Sequence, residues 1–345
     1  MEKQKLLLTG FRAYGDWVYA SAVLPYLFEK YDVYCDMNIK GDDLFWDDPR
    51  FKQKAIFVFE NEPPEKFGEL AEARLQKMRE QVKPDIEINL NGSLEGACIA
   101  RREQSEYHLS LGDRRVVFGS NAFYDAIFKR CGMETPNPLN LEGLWFPPDL
   151  IAWAEGWRKK NEDKFVMIIP IKGSSIHKHF RNWKEVVLRI LDTYQDAVIY
   201  LCGDDKKLIG DFEHPRVRDL FYPRLPFKQT VLMTKYADMV VGPETGVMAA
   251  AGMWGTPKVM MCSASSVWQV AQYTRNDFSF QLPVYCSPCH LSVFEIDDCQ
   301  NVVEDNKERI PACVRQFPVD MIMDRIDHVY KNLRRRVPSQ VLVAS

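Results

Sequence analysis

The sequence predicts an α/β protein of two domains, each a mostly parallel sheet covered by helices on both faces. Three observations carry this. Short apolar strands alternate with helical stretches from Leu6 onward. The alternation pauses where Pro136, Pro138, Pro147 and Pro148 cluster, and then restarts. At 345 residues the chain also exceeds what a single hydrophobic core usually organises. The boundary is placed near residue 150, giving domains over 1–150 and 151–318 and a closing helical segment over 319–345.

In the first domain Leu6-Leu7-Leu8-Thr9 is a compact strand, and Gly10 to Asp16 is a glycine-bounded loop. From Trp17 to Lys30 apolar residues recur at helical spacing, at Val18, Ala22, Leu24, Leu27 and Phe28. Asp16 stands where that helix begins, a position at which a carboxylate caps free N–H groups. Further strands are expected at Val33–Met37, Ala55–Phe59 and Asp85–Leu90, with helices at Glu69–Gln81 and Asn121–Cys131.

The second domain opens with a helix over Ala152–Asn161 and a buried strand over Phe165–Pro170. A polar loop, Lys172 to Asn182, leads to a helix over Trp183–Tyr194, and the strand Ala197–Cys202 ends at Gly203-Asp204-Asp205. After a short helix, Lys228–Tyr236, comes the stretch on which the reading turns. Asp238–Val241 is a strand that breaks at Gly242-Pro243-Glu244-Thr245-Gly246 into the small-residue helix Val247–Met253, followed by the strand Lys258–Cys262. Gly242 and Gly246 permit backbone angles that other residues resist. The amides at the start of the helix favour phosphate. In open α/β sheets, loops at the carboxyl ends of strands are where ligands bind. A plain crossover without a ligand is the competing reading of this turn.

The rhythm then breaks. Cys286-Ser287-Pro288-Cys289 is followed by Cys299 and Cys313, and Val319–Arg336 reads as a basic amphipathic helix. Four thiolates suffice for a tetrahedral structural Zn²⁺, with buried unligated thiols as the alternative. Nine cysteines, an odd number, argue for thiols or metal ligands over a disulfide framework. The net charge of −3 speaks against a protein whose main work is gripping polyphosphate, while leaving room for a local basic face. No apolar run approaches the ~18 residues that span a bilayer, and Met1 to Lys5 lead straight into a strand, so a cytoplasmic protein is expected.

With these residues in view, the chain resembles the heptosyltransferase-like glycosyltransferases of family nine. Gly15-Asp16 before Ala20-Ser21-Ala22-Val23-Leu24 is similar to the family's opening loop and first helix. Phe165–Pro170, Arg181-Asn182-Trp183, the strand ending at Gly203, and Glu244-Thr245-Gly246 with Ala249-Ala250 match the second half in order. Where the family usually has Asp-Thr-Gly, this chain has Glu244; the His that follows falls on Ala249, and a Pro of the first helix falls on Ala22. The resemblance implies the GT-B arrangement, two Rossmann-like domains facing across a cleft, with acceptor on the first, nucleotide-sugar on the second, and the last helix crossing back to the first. It implies an inverting transfer from a nucleotide-diphosphate sugar, without a catalytic metal, to a saccharide of lipopolysaccharide or another surface glycan.

Such a transfer needs a base for the acceptor hydroxyl and positive charge or N–H dipoles for the departing diphosphate. Asp16 is the expected base, against a plain role as helix cap. Thr245, Gly246 and Val247 supply amides for the diphosphate, Lys178 and Arg181 supply charge, and Ser174 and Ser175 supply hydroxyls. Glu244 repels phosphate and is assigned to sugar or ribose hydroxyls or to capping, Asp204 and Asp205 to the ribose, and Gly203 to the donor site. Phe11, Arg12, Tyr14 and Trp17 make the acceptor loops aromatic and partly basic. Such loops suit a sugar or a modified base, so DNA is a second acceptor class. A nucleotide-sugar epimerase or hydrolase, and a non-catalytic nucleotide sensor, are the rivals from other classes.

Overall fold

The computed structural model of the protein describes residues 2–10, 13–57, 67–90, 120–203, 207–210, 212–221, 224–289, 295–315 and 318–336. The first half comprises β1 (Gln4–Gly10), α1 (Tyr14–Ser21), α2 (Leu24–Lys30), β2 (Tyr31–Asn38), α3 (Ile39–Phe45), β3 (Gln53–Phe57), α4 (Phe67–Val82), β4 (Ile86–Asn89) and α5 (Ser120–Arg130). Its strands pair in parallel in the order β3-β2-β1-β4. The second half runs α6 (Pro148–Lys159), β5 (Phe165–Pro170), α7 (Trp183–Thr193), β6 (Ala197–Cys202), β7 (Val217–Asp219), α8 (Phe227–Tyr236), β8 (Met239–Pro243), α9 (Gly246–Trp254), β9 (Lys258–Cys262), α10 (Val267–Ala271) and β10 (Phe280–Gln281). These strands form a second parallel sheet, ordered β10-β9-β8-β5-β6-β7. A hairpin of β11 (Val302–Asp305) and β12 (Glu308–Pro311), α11 (Ala312–Arg315) and α12 (Val319–Arg336) complete it.

Every residue of β5, β6, β8 and β9 is buried, which is why these strands read as apolar runs without polar alternation, Lys258 at the start of β9 excepted. Three expectations are corrected. The helix anticipated from Trp17 to Lys30 is two helices, separated at Ala22-Val23. Pro25 sits in the first turn of α2, where its missing N–H costs nothing, and cannot continue α1. Gly242 and Gly246 are not among the glycines with positive φ; of those flanking α9 only Gly255, its left-handed cap, is. They provide space instead: a Cβ on Gly242 would meet Pro170 Cγ at 2.6 Å. Finally, among the described residues α12 packs on the second domain and not, as expected, on the first. Val319, Ile322, Met323, Ile326 and Val329 form one apolar stripe in the core of the second domain, against α7 and β9.

The two halves share a core. Val231 and Leu232 of α8 and Ala249, Ala250 and Met253 of α9 belong to the same buried cluster as Leu6, Val18 and Leu27. Small residues on α9 let it lie directly on α1. Around this contact Tyr14 stacks on Phe227 at 4.0 Å, Lys228 pairs with Asp47, and Lys235 pairs with Glu142 at 3.1 Å. Among the described residues, no helix is long and apolar enough to cross a membrane.

Candidate active site

In each sheet the strand order reverses beside the first strand laid down, between β1 and β4 in one and between β5 and β8 in the other. Loops leaving such a switch point diverge and leave a crevice. Here the crevices of the two sheets face each other and enclose a cavity of about 510 Å³, within the usual range for a small-molecule site. One wall carries Ala13 to Asp16, Tyr19 and Lys40; the other carries Lys172 to Ser175, Lys178, Gly203 and Glu244 to Val247, with an apolar floor of Leu220, Leu225, Met260 and Val270.

Asp16 is only 6% exposed, and its Oδ2 accepts a hydrogen bond from the Ala13 amide at 3.2 Å. The carboxylate therefore caps α1 and borders the cleft at once. Opposite it, Thr245 caps α9, its Oγ1 accepting from the Met248 amide at 3.3 Å. The other amides of this first turn have no acceptor within the helix and bring its positive end to the cavity. The two termini come close because both carry glycine. A Cβ on Gly246 would stand 3.0 Å from the Gly15 nitrogen and 2.8 Å from Phe227 Cζ.

Lys178 and Ser175 are buried at the cleft, and Ser174 is exposed beside them. Their loop is pinned by Trp183 Nε1, which donates to the Ile171 carbonyl at 2.5 Å, and by a 3.0 Å contact of His179 Nε2 with the Gly173 carbonyl. Glu244 is buried in the second wall, and the helix cap is Thr245, not Glu244.

Two expected site residues stand elsewhere. Trp17 is 2% exposed, packs edge-on against Phe45 and donates from Nε1 to Asn38 at 2.9 Å, so it belongs to the core. One position past Asp16, it lies about 100° further round α1 and faces inward. Arg181 is not among the cleft residues and pairs with Glu308 of β12 at 2.7 Å. Phe11, Arg12, Asp204 and Asp205 lie outside the described residues. The sequence reading missed Lys40, Lys172 and Tyr19. Lys40 was within reach, since it closely follows the carboxyl end of β2.

A second cavity, of about 20 Å³, is lined by Cys286, Cys289, Cys299 and Cys313 together with His177, Ser263 and Asn301. Asn301 Nδ2 donates to Cys286 Sγ at 3.6 Å, and Cys299 Sγ donates to the Asn301 carbonyl at 3.5 Å. Burial first, and then the neighbouring Cys299, Cys289 and Cys286, push the Cys313 thiol up to about 12. Among the described residues, no three His, Cys, Asp or Glu side chains already stand in metal-binding array. The chemistry of four thiols around an ion-sized space nevertheless suits a thiophilic metal.

No protein-family model and no curated protein sequence matches the chain. Solved structures do. A glycosyl transferase family 9 protein from Veillonella parvula is similar over 96% of this chain and 98% of its own, with TM-score 0.67 and 10% identity. The E. coli heptosyltransferase WaaC, solved with ADP-2-deoxy-2-fluoro heptose, is similar over 94% of this chain and 99% of its own, with TM-score 0.60 and 11% identity. The iron-containing dodecameric glycosyltransferase TibC from enterotoxigenic E. coli is similar over 96% of this chain and 78% of its own, with TM-score 0.56 and 15% identity. Cleft, sheet order and comparisons agree on one architecture: the chain has the two-domain GT-B fold, built like the family 9 glycosyltransferases and heptosyltransferases over nearly its whole length.

Proposed function

We propose that the protein is a glycosyltransferase that moves a sugar, with inversion, from a nucleotide-diphosphate sugar to an acceptor hydroxyl. The observation that carries this is that Asp16 and the N-terminus of α9 line one cleft, brought together by the Gly15–Gly246 contact. Asp16 takes the proton of the acceptor hydroxyl as its oxygen bonds to the anomeric carbon. The bond from that carbon to the diphosphate breaks, and its electron pair leaves with the phosphate. The amides of Gly246 and Val247, the Lys178 ammonium and the hydroxyls of Ser174 and Ser175 receive the departing charge. Inversion is carried over from the resemblance to the family 9 glycosyltransferases. Glu244, beside these groups, suits sugar or ribose hydroxyls. The WaaC complex makes ADP-heptose the first donor to try, and a saccharide on the wall of Tyr14 and Lys40 the first acceptor class. Cysteines that form no disulfide among the described residues fit a cytoplasmic setting.

A thermal-shift screen against ADP-, UDP-, GDP- and CMP-sugars tests this, because a ligand at 100 times its Kd stabilises by about 2.7 kcal/mol. The expected result is a selective shift, lost in Thr245→Val and kept in Asp16→Asn. No shift with any nucleotide would sink the reading.

A structural Zn²⁺ or iron held by Cys286, Cys289, Cys299 and Cys313 is part of the same proposal, on the ground that all four line one cavity. TibC contains iron, so both metals are to be tested. Elemental analysis of protein purified without chelator is expected to find about one equivalent; under about half an equivalent would refute the site.

A further inference from the structure

The cysteine cavity and the cleft share a piece of chain. The single 3-10 turn Ile176–Lys178 lies between them. Ser175 and Lys178, at its ends, line the cleft, whereas His177 lines the cysteine cavity. His177 Nδ1 lies 2.8 Å from Ser175 Oγ, so the imidazole that borders the thiols also holds a hydroxyl at the cleft. Neighbouring contacts run the same way. β12 and α11, which delivers Cys313, pack on this turn, and Arg181 ties the following residues to Glu308. Ser287, between Cys286 and Cys289, donates to the Ser263 carbonyl at 2.7 Å, and Ser263 directly follows β9.

We propose that metal bound by the four cysteines fixes the donor loop through His177, so that metal occupancy sets the affinity for the nucleotide diphosphate. The inference rests on the metal and donor readings above. Metal–thiolate bonds replace the weak hydrogen bonds of these thiols with a rigid wall, and a histidine packed on that wall passes the constraint to Ser175 and the turn carrying Lys178. Without metal the loop samples other arrangements, and apparent affinity falls by the fraction that remains competent. If that fraction is about one in ten, ADP binds about tenfold more weakly.

The experiment compares full-length protein stripped with chelator and reloaded with Zn²⁺ or Fe²⁺, by amide hydrogen exchange over residues 173–178 and by calorimetric titration of ADP. Reloading is expected to slow exchange in that loop and tighten ADP about tenfold. Cys289→Ser should behave as stripped protein in both respects. His177→Ala should keep its metal yet show neither response, and His177→Asn, whose amide can still reach Ser175 but not the thiols, should do the same if the alanine variant fails to fold. Equal exchange in stripped and reloaded wild type, or a metal response that survives in both His177 variants, would overturn the proposal. Failure to take up metal would overturn it together with the metal reading. A His177-dependent exchange response without ADP binding would uphold the coupling and refute the donor reading instead.

Discussion

Asp16 caps α1 and borders the cleft, and a substitution can separate the cap from the proposed role as base. Asp16→Asn retains an oxygen able to accept from the Ala13 amide, so stability should change by less than about 1 kcal/mol, the usual worth of a cap. Turnover should fall by about 10²–10⁴-fold, with the donor still bound; an unchanged kcat would leave Asp16 only its capping role. Cys202, fully buried at the end of β6, makes a pH prediction. Burial raises its thiol from the ordinary 9.0 to about 12. The unfolded chain loses this proton at the ordinary value and the native chain does not, so stability should fall as pH rises between about 9 and about 12. Urea unfolding across that window should show a shallower decline in Cys202→Ala. At this scale the sequence was legible where chemistry and backbone coincide: Asp16 and Thr245 both sit where a strand gives way to a helix beside glycine. Trp17 and Arg181 were not legible, because their roles depend on partners brought by the fold, Phe45 and Asn38 for one and Glu308 for the other.

The elements that position the site are α1 and α9, and their close approach depends on the absence of two side chains. Gly246→Ala places a methyl against Phe227, Gly15 and Tyr14, so a destabilisation of about 1–3 kcal/mol is expected, as for other overpacked contacts. Because the added methyl pushes the two termini apart, kcat should drop along with Tm. A variant of normal stability and activity would show that the contact is not needed. The strands behind these helices were the most legible part of the chain. β5, β6 and β9 lie on the residues their apolar runs mark, since a strand buried on both faces leaves no choice of register or exposure. Short elements such as α3, α10 and the β11–β12 hairpin are too brief to show a period and escaped the reading. The amphipathic stripe of α12 was plain, but a stripe specifies only that something covers it, and here that is α7.

At the scale of the whole molecule the two sheets are joined by an interface that is partly core and partly charged. Lys228, nearly buried, pairs with Asp47 across it and lies over the rings of Trp145 and Phe146, at 5.5 and 5.6 Å. Lys228→Met keeps the packing but leaves Asp47 without this cation, so a Tm drop larger than the near-zero effect of an exposed pair is expected. Lys235→Met, which removes the exposed pair with Glu142, provides the control. Equal effects would mean that the cross-domain pair contributes no more than a surface contact. That a chain of this length has two sheets was legible from the pause and restart of its pattern; that they share one core was not, because Ala249, Ala250 and Met253 look the same whichever sheet they cover. The shared core also constrains how such a molecule can be re-engineered. A chimera that kept this first half and took its second half from a relative would place foreign side chains against Leu6, Val18 and Leu27, while the native second half alone would expose the apolar face of α9 to water. Exchange of halves at residue 150 is therefore expected to cost stability, whereas point substitution within the cleft leaves the shared core intact.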